Sequence, residues 1–114
     1  MDSRTKIVPA AEAARLAATV TVVSGYFDPL LAAHAEQLQQ LKHAGTPLLV
    51  AIAEPPRPIL PARARAELVA GLAVVDYVTE SVDGLTPHTR LEEEDQRRLE
   101  DLIAYVHARQ RAAP

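Results

Sequence analysis

The sequence contains no cysteine and no tryptophan, and only one phenylalanine and one methionine among its 114 residues. Without cysteine, the chain cannot form a disulfide or a thiolate metal site. No apolar run approaches the roughly 20 residues that a membrane-spanning helix needs. The first residues include Glu12 and Arg15, which would interrupt the apolar stretch of a signal peptide. We therefore expect a cytoplasmic protein with no membrane contact.

An excess of basic charge is also missing. Lysine and arginine number 12 against 15 acidic residues, so the net charge is −3 and nothing suggests a nucleic-acid partner. His43, His88 and His107 have no partner at metal-ligand spacing, and we expect no metal site. With 48% apolar and 24% charged residues, the composition is that of a globular protein. The length predicts one domain spanning residues 1–114.

Apolar patterns along the chain predict an α/β fold. Three short runs of β-branched and aliphatic residues are typical of strands buried in a parallel sheet. The predicted strands lie at residues 19–24, 47–53 and 74–79. The predicted helices lie at residues 6–18, 28–45, 62–73 and 89–110. Because right-handed crossovers make such a sheet parallel, any ligand is expected beyond the carboxyl ends of the strands, at the loops that follow them.

The loop after the first predicted strand carries a motif. The passage VVSGYFDPLLAAHAEQL resembles the signature G-x-F-D-x-x-H-x-G-H of the nucleotidylyltransferase (cytidylyltransferase-like) superfamily. The matching positions are Gly25, Phe27, Asp28 and His34. Leu31 replaces the first signature histidine, and Ala33 replaces the signature glycine. Taken alone, the segment would also suit a strand end followed by an Asp cap and a proline in the first helical turn.

The resemblance extends over residues 6–80. The opening KIV and the stretch PARARAELVAGLAVVDYV are similar to the adenylyltransferase domain that activates heptose phosphates for lipopolysaccharide. The sheet of that family has the order 3-2-1-4-5. The resemblance therefore implies a Rossmann-like parallel sheet of about three strands in the order 3-2-1, reduced from that pattern, with flanking helices and a long C-terminal helix.

Family chemistry gives these residues expected roles. Such enzymes hold ATP or CTP with Mg²⁺ while a phosphate group attacks the α-phosphorus and displaces pyrophosphate. Backbone amides and two imidazoles stabilise the charge that develops. The resemblance implies that His34 is a vestigial catalytic candidate and that Arg65 faces the nucleotide. The implied nucleotide- or phosphate-binding residues are Ser24, Gly25, Tyr26, Phe27, Asp28, His34 and Arg65.

The two replacements weaken this chemistry. Leu31 removes one preorganised donor, a loss that typically costs about 10²–10³ in rate, and Ala33 adds a methyl where phosphate should approach. We expect a degenerate domain that requires no cofactor and binds a nucleotide, a sugar phosphate or a protein partner without efficient catalysis. Two alternatives stay open. In the first, the chain is an active nucleotidylyltransferase that transfers a nucleoside monophosphate from ATP or CTP to a sugar phosphate. The second concerns a single residue: His34 is only a core or cap residue.

The last predicted helix bears on assembly. Thr89 and Glu92 form a predicted capping box at its start, and the EEEDQRR run is interpreted as a solvated face. If the sheet ends after its third strand, the first strand is left at an edge, and monomers rarely expose such an edge. We expect a homodimer that uses the first strand, the last helix or both, unless residues 81–88 hide a further strand. The helix offers one apolar stripe, made of Leu99, Leu102, Ile103 and Val106.

Overall fold

The computed structural model describes residues 2–112 and shows an α/β fold around a parallel sheet. The strands are β1 (Thr21–Gly25), β2 (Leu48–Ile52), β3 (Tyr77–Thr79) and β4 (Thr89–Arg90). The helices are α1 (Ala10–Leu16), α2 (Ala32–Leu41), α3 (Ala62–Ala70) and α4 (Glu92–Ala112), with 3-10 turns at Ser3–Lys6 and Ala17–Thr19. The strand order is β3-β2-β1-β4, and every pair is parallel. The predicted Rossmann-like class is confirmed.

The two central strands lie between apolar layers. All five residues of β2 are buried, and the β1–β2 register runs from Thr21 opposite Leu48 to Gly25 opposite Ile52. Side chains that alternate along the strands enter two separate cores. The core under α2 and α3 includes Val23, Phe27, Leu38, Val50 and Val69. The core on the opposite face, under α1, includes Ala13, Val22, Leu49 and Ala51.

The expectation that β1 lies at an open edge is wrong. Val23 pairs with Thr89 and Ser24 with Arg90, so the short strand β4 covers β1 on the side away from β2. His88 extends this pairing, because its amide donates to the Val22 carbonyl and its ring Nδ1 accepts from the Val22 amide. The sheet therefore has four strands rather than about three, and the proposed β1 interface loses its basis.

The predicted capping box at Thr89 is also wrong. Thr89 belongs to β4, and α4 begins at Glu92. The edge of β1 that β2 leaves free pairs with this segment, which draws Thr89 into a strand instead of a helix cap. A β-branched threonine suits a strand. The short connection from β3 to β4 crosses the α1 face of the sheet, where Val82 and Leu85 pack against the core.

Helix α4 leaves the body of the molecule. Every side chain described from residue 101 to residue 111 is exposed, and the molecule measures 55 × 28 × 27 Å along its principal axes. Although α4 is 21 residues long, it is highly charged. Neither it nor any other helix within residues 2–112 has the length and apolar character needed to cross a membrane.

Candidate functional site

The candidate site lies where β1 ends, in the loop of residues 26–31. Gly25 is the last residue of β1. A Cβ on Gly25 would lie 2.7 Å from the Phe27 ring and 2.8 Å from a carboxylate oxygen of Asp95, closer than such atoms approach. A side chain at this position would therefore require the Phe27 ring or the Asp95 carboxylate to move.

The loop directs two consecutive backbone amides at a single point. Phe27 has a φ of 48°, in the left-handed region that non-glycine residues rarely adopt. Its ring is buried and lies 5.1 Å, centroid to centroid, from the His34 ring. The amides of Tyr26 and Phe27 both point at the Asp95 carboxylate. Adjacent amides arranged in this way form a cradle for an anion. We call the Tyr26 and Phe27 amides together with the His34 ring the anion cradle.

The anion cradle holds the Asp95 carboxylate. Oδ2 accepts from the Tyr26 amide at 2.7 Å and from the Phe27 amide at 3.4 Å. Oδ1 lies 2.5 Å from Nε2 of His34. Asp95 is only 6% exposed. A carboxylate from the first turn of α4 therefore contacts all three donors of the anion cradle.

His34 has both ring nitrogens engaged. Nδ1 accepts a hydrogen bond from the Leu31 amide at 2.9 Å, which caps the start of α2. A neutral imidazole whose Nδ1 is an acceptor carries its proton on Nε2, so Nε2 donates to Asp95. In this arrangement both ring nitrogens are used within the protein. The geometry matches the cap-residue alternative, and the catalytic role of His34 stays a prediction.

Further contacts fix the start of α4 against α2. Nε2 of Gln37 donates to a carboxylate oxygen of Glu94 at 2.5 Å. Arg98 lies 3.6 Å from Glu94 and 3.7 Å from Asp95. The Gln37–Glu94 hydrogen bond joins the acidic first turn of α4 to the helix that carries His34, whereas the Arg98 contacts lie within α4. The position of Asp95 therefore depends on several side chains.

Asp28 fastens the site to the loop after β2. Its carboxylate accepts from the amides of Ile59 and Leu60, at 2.6 and 2.9 Å. These bonds join two loops at the carboxyl end of the sheet. Asp28 is buried, and both of its oxygens are used within the protein. Its predicted contact with a nucleotide stays a prediction.

Arg65 is fully buried, with 0% exposure. Its guanidinium donates to the carbonyls of Tyr26, Ala53 and Leu60, at distances from 2.8 to 3.1 Å. It also pairs with the carboxylate of Glu54 at 3.0 Å. The side chain therefore holds the loops after β1 and β2 together. This accounts for a buried arginine without a ligand, and its predicted contact with a nucleotide stays a prediction.

Ser24 lies apart from the anion cradle. Its side chain is buried and alternates with Val23, so it faces the α1 side of the sheet. Its carbonyl accepts from the Leu91 amide, which helps to hold the segment before α4. Within the described residues, the Ser24 hydroxyl has no hydrogen-bond partner. Of the seven predicted binding residues, the structure groups Gly25, Tyr26, Phe27 and His34 around one carboxylate.

A cavity of about 400 Å³ adjoins the anion cradle. Its wall is mainly apolar, with Leu31, Pro55 and Ile59 on the loop side and Leu99, Leu102 and Ile103 on α4. The polar side chains of Arg57 and Gln96 also line it. Leu31 therefore faces this cavity in place of a polar donor. The cavity carboxylates of Asp28 and Asp95 are already hydrogen-bonded. The space beside the cradle thus offers an apolar surface.

Sequence reasoning missed Asp95. Asp95 lies within the EEEDQRR run, whose many charges indicate a solvated face. Asp95 lies four residues before Leu99 and so falls on the same side of the helix as the apolar stripe. A single acidic residue that extends an apolar stripe is the pattern that could have marked it as buried.

A comparison with protein families decides the identity of the fold. The model of the cytidylyltransferase-like family matches residues 22–110, from β1 into the distal part of α4. The chain belongs to the cytidylyltransferase-like family. The match includes the anion cradle and Asp95, and it confirms the predicted relation to the nucleotidylyltransferase superfamily. A comparison with curated proteins finds no match.

No group of three His, Cys, Asp or Glu side chains within residues 2–112 is arranged to hold a metal ion. The nearest carboxylates to the cradle, Asp28 and Asp95, are bound by backbone amides. The described residues therefore do not fit a resident Mg²⁺.

Proposed function

We propose that this cytidylyltransferase-like domain is a non-catalytic binding domain whose anion cradle is closed by its own Asp95. The observation that carries the proposal is the placement of that carboxylate on the Tyr26 and Phe27 amides and on His34. These donors are the ones through which family members would hold a phosphate. In this chain their ligand is internal.

Charge opposes the entry of a nucleotide. A phosphate that used the same amides would stand within hydrogen-bonding distance of the Asp95 carboxylate, and two like charges that close repel strongly in a poorly solvated site. Asp95 would have to leave first. Its departure would also disturb the neighbouring contacts between Glu94, Gln37 and Arg98. Phosphate binding therefore competes with the anchoring of α4.

The remaining groups give little support to catalysis. Leu31 presents an aliphatic side chain to the cavity where the family signature has an imidazole. His34 uses Nδ1 to cap α2 and Nε2 to bind Asp95. Each missing donor costs about 10²–10³ in rate, so losing two removes about 10⁴–10⁶. We infer that the surface available for function is the apolar one beside the cradle.

Pyrophosphate release tests the proposal. The full chain is incubated with ATP or CTP and with heptose, glycerol or choline phosphates, and the pyrophosphate produced is measured. We expect none above the enzyme-free control. Turnover of about 1 s⁻¹, an ordinary enzymatic rate, would overturn the proposal.

A second candidate is a nucleotide-binding domain, or an active nucleotidylyltransferase, in which Asp95 is a displaceable plug. It is favoured by one observation. The cradle keeps two convergent amides and an imidazole, and the helix that bears the plug is free over its distal half. In this reading the combined replacements Leu31→His and Ala33→Gly increase nucleotide affinity. Unchanged affinity in that double variant, with the fold intact by circular dichroism, would count against it.

A further inference from the structure

Four large apolar side chains in the distal part of α4 are exposed. Leu102, Ile103, Tyr105 and Val106 are 43, 45, 59 and 42% exposed. Most of the stability of a protein helix comes from packing its apolar face rather than from intrinsic propensity. A helix that projects for three turns with such a face is typical of an interaction surface.

The apolar stripe of α4 is self-complementary. Its four members, Leu99, Leu102, Ile103 and Val106, are separated by three, one and three residues. This spacing is the same in both directions along the helix. A two-fold axis between Leu102 and Ile103 would place Leu99 against Val106 of the partner subunit. Two-fold interfaces require this kind of self-complementary surface.

The charges of α4 favour the same arrangement. Its first turn contains Glu92, Glu93, Glu94 and Asp95, and its last turn contains Arg109 and Arg111. With the axis between Leu102 and Ile103, Arg111 is level with Glu94 of the partner subunit. An antiparallel pair thus sets the acidic end of each helix beside the basic end of the other and opposes the helix dipoles. A parallel pair would place like charges side by side.

The stripe is continuous with the cavity beside the anion cradle. Leu99, Leu102 and Ile103 belong both to the stripe and to the cavity wall. In an antiparallel pair, the distal half of one α4 lies along the proximal half of the other, where the cavity opens. Each helix would therefore add apolar side chains to the wall of the other copy's cavity.

We propose that two copies of this chain pair through antiparallel α4 helices, and that each helix closes the apolar cavity beside the Asp95–His34 pair of the other copy. The occupant is a second copy because both the stripe and the end-to-end charge pattern are self-complementary. The proposal does not depend on whether the domain is catalytic.

Sedimentation velocity on the full chain tests the assembly. We expect a species of twice 12.3 kDa at micromolar concentration. Leu102→Asp should weaken association at least about tenfold, because it places a charge at the centre of the apolar interface. Leu68→Asp is the matched control, since Leu68 is 49% exposed on α3 and lies outside the stripe. A monomeric wild type, or equal effects of the two substitutions, would overturn the proposal.

Cross-linking tests the orientation independently of how well the Asp variant folds. The chain has no cysteine, so an introduced one is unique. In the antiparallel pair, Leu102→Cys brings two thiols together at the axis and should form an intermolecular disulfide on mild oxidation. Arg109→Cys places its two thiols roughly 20 Å apart at a rise of 1.5 Å per residue and should not. Cross-linking of Arg109→Cys as readily as Leu102→Cys would overturn the antiparallel arrangement.

Discussion

Two aspartates on α4, less than two turns apart, have opposite surroundings. Asp95 in the proximal half is buried against two amides and an imidazole. Asp101, less than two turns later, is exposed. A carboxylate is buried only where donors replace its water, and the anion cradle provides them at one end of the helix alone. The comparison shows that two convergent amides and an imidazole can anchor a helix through a single carboxylate.

The sharpest way to break this comparison is to remove each carboxylate in turn. Asp95→Ala leaves the Tyr26 and Phe27 amides and Nε2 of His34 without their acceptor, so we expect it to lower the free energy of unfolding by about 3 kcal/mol. Asp101→Ala on the same helix should change it by no more than about 0.5 kcal/mol. Urea denaturation of both variants measures the difference. Equal losses would mean that the cradle does not anchor α4.

Gly25→Ala changes the same contact with Asp95 from the side of β1. The new methyl would meet the Phe27 ring and the Asp95 carboxylate at less than 3 Å, and we expect a loss of about 1–3 kcal/mol from overpacking. Gly71→Ala is a control at an ordinary φ of −68°, where the nearest contact of the new Cβ is 3.3 Å. Thermal melts should rank Gly25→Ala as clearly the less stable. Similar melting temperatures would show that the end of β1 tolerates a shift away from Asp95.

The smallest expected effect concerns a carboxylate outside the cradle. Asp76 accepts from Nζ of Lys42 at 2.5 Å and from the Leu48 amide at 2.8 Å. Partial burial raises the pKa of Asp76, but these hydrogen bonds and the charges of Lys42 and Lys6 lower it overall below its usual 3.8. The folded state therefore gains stability above the unfolded pKa of about 3.9 and loses it as the pH falls through the lower, folded value.

The replacement Asp76→Asn checks this pH dependence. We expect the stability of the variant to fall less steeply than that of the wild type below about pH 4. The difference should be modest, because both side chains of the ion pair are about one-third exposed and water screens their interaction. Parallel urea titrations between pH 2 and 6, a window set by ordinary carboxyl pKa values of about 4, give the comparison. Identical slopes would contradict a lowered pKa for Asp76.

Local sequence patterns predicted the parts of the fold that depend on local chemistry. The β-branched and aliphatic runs gave β1, β2 and β3, and the helical patterns gave all four α-helices near their true positions. Strand β4 was not predicted, because a strand of two residues is too short to show a hydrophobic period. Its pairing comes from the backbone of β1 and from the His88 ring, both distant in sequence. The fourth strand was therefore a tertiary effect.

The same division holds for the candidate site. The motif located the loop of Gly25 and Phe27 and the cap residue His34, because these depend on a strand–loop–helix passage read along the chain. The carboxylate that the anion cradle holds belongs to Asp95, which is 61 residues from His34 in the sequence. The pairing of β4 with β1 and the hydrogen bond from the Leu91 amide to the Ser24 carbonyl bring the start of α4 there. Arg65 and Asp28 likewise gained their loop contacts from chain segments that the motif does not include.

Titration calorimetry with ATP tests the closure of the anion cradle by Asp95 most directly. The wild type, Asp95→Ala and the control Asp101→Ala are titrated in parallel after melts show that each is folded. The closed cradle predicts no saturable binding by the wild type or by Asp101→Ala, and measurable binding by Asp95→Ala, in which the amides and His34 are released. Equally tight binding of ATP by the wild type and Asp95→Ala would contradict it.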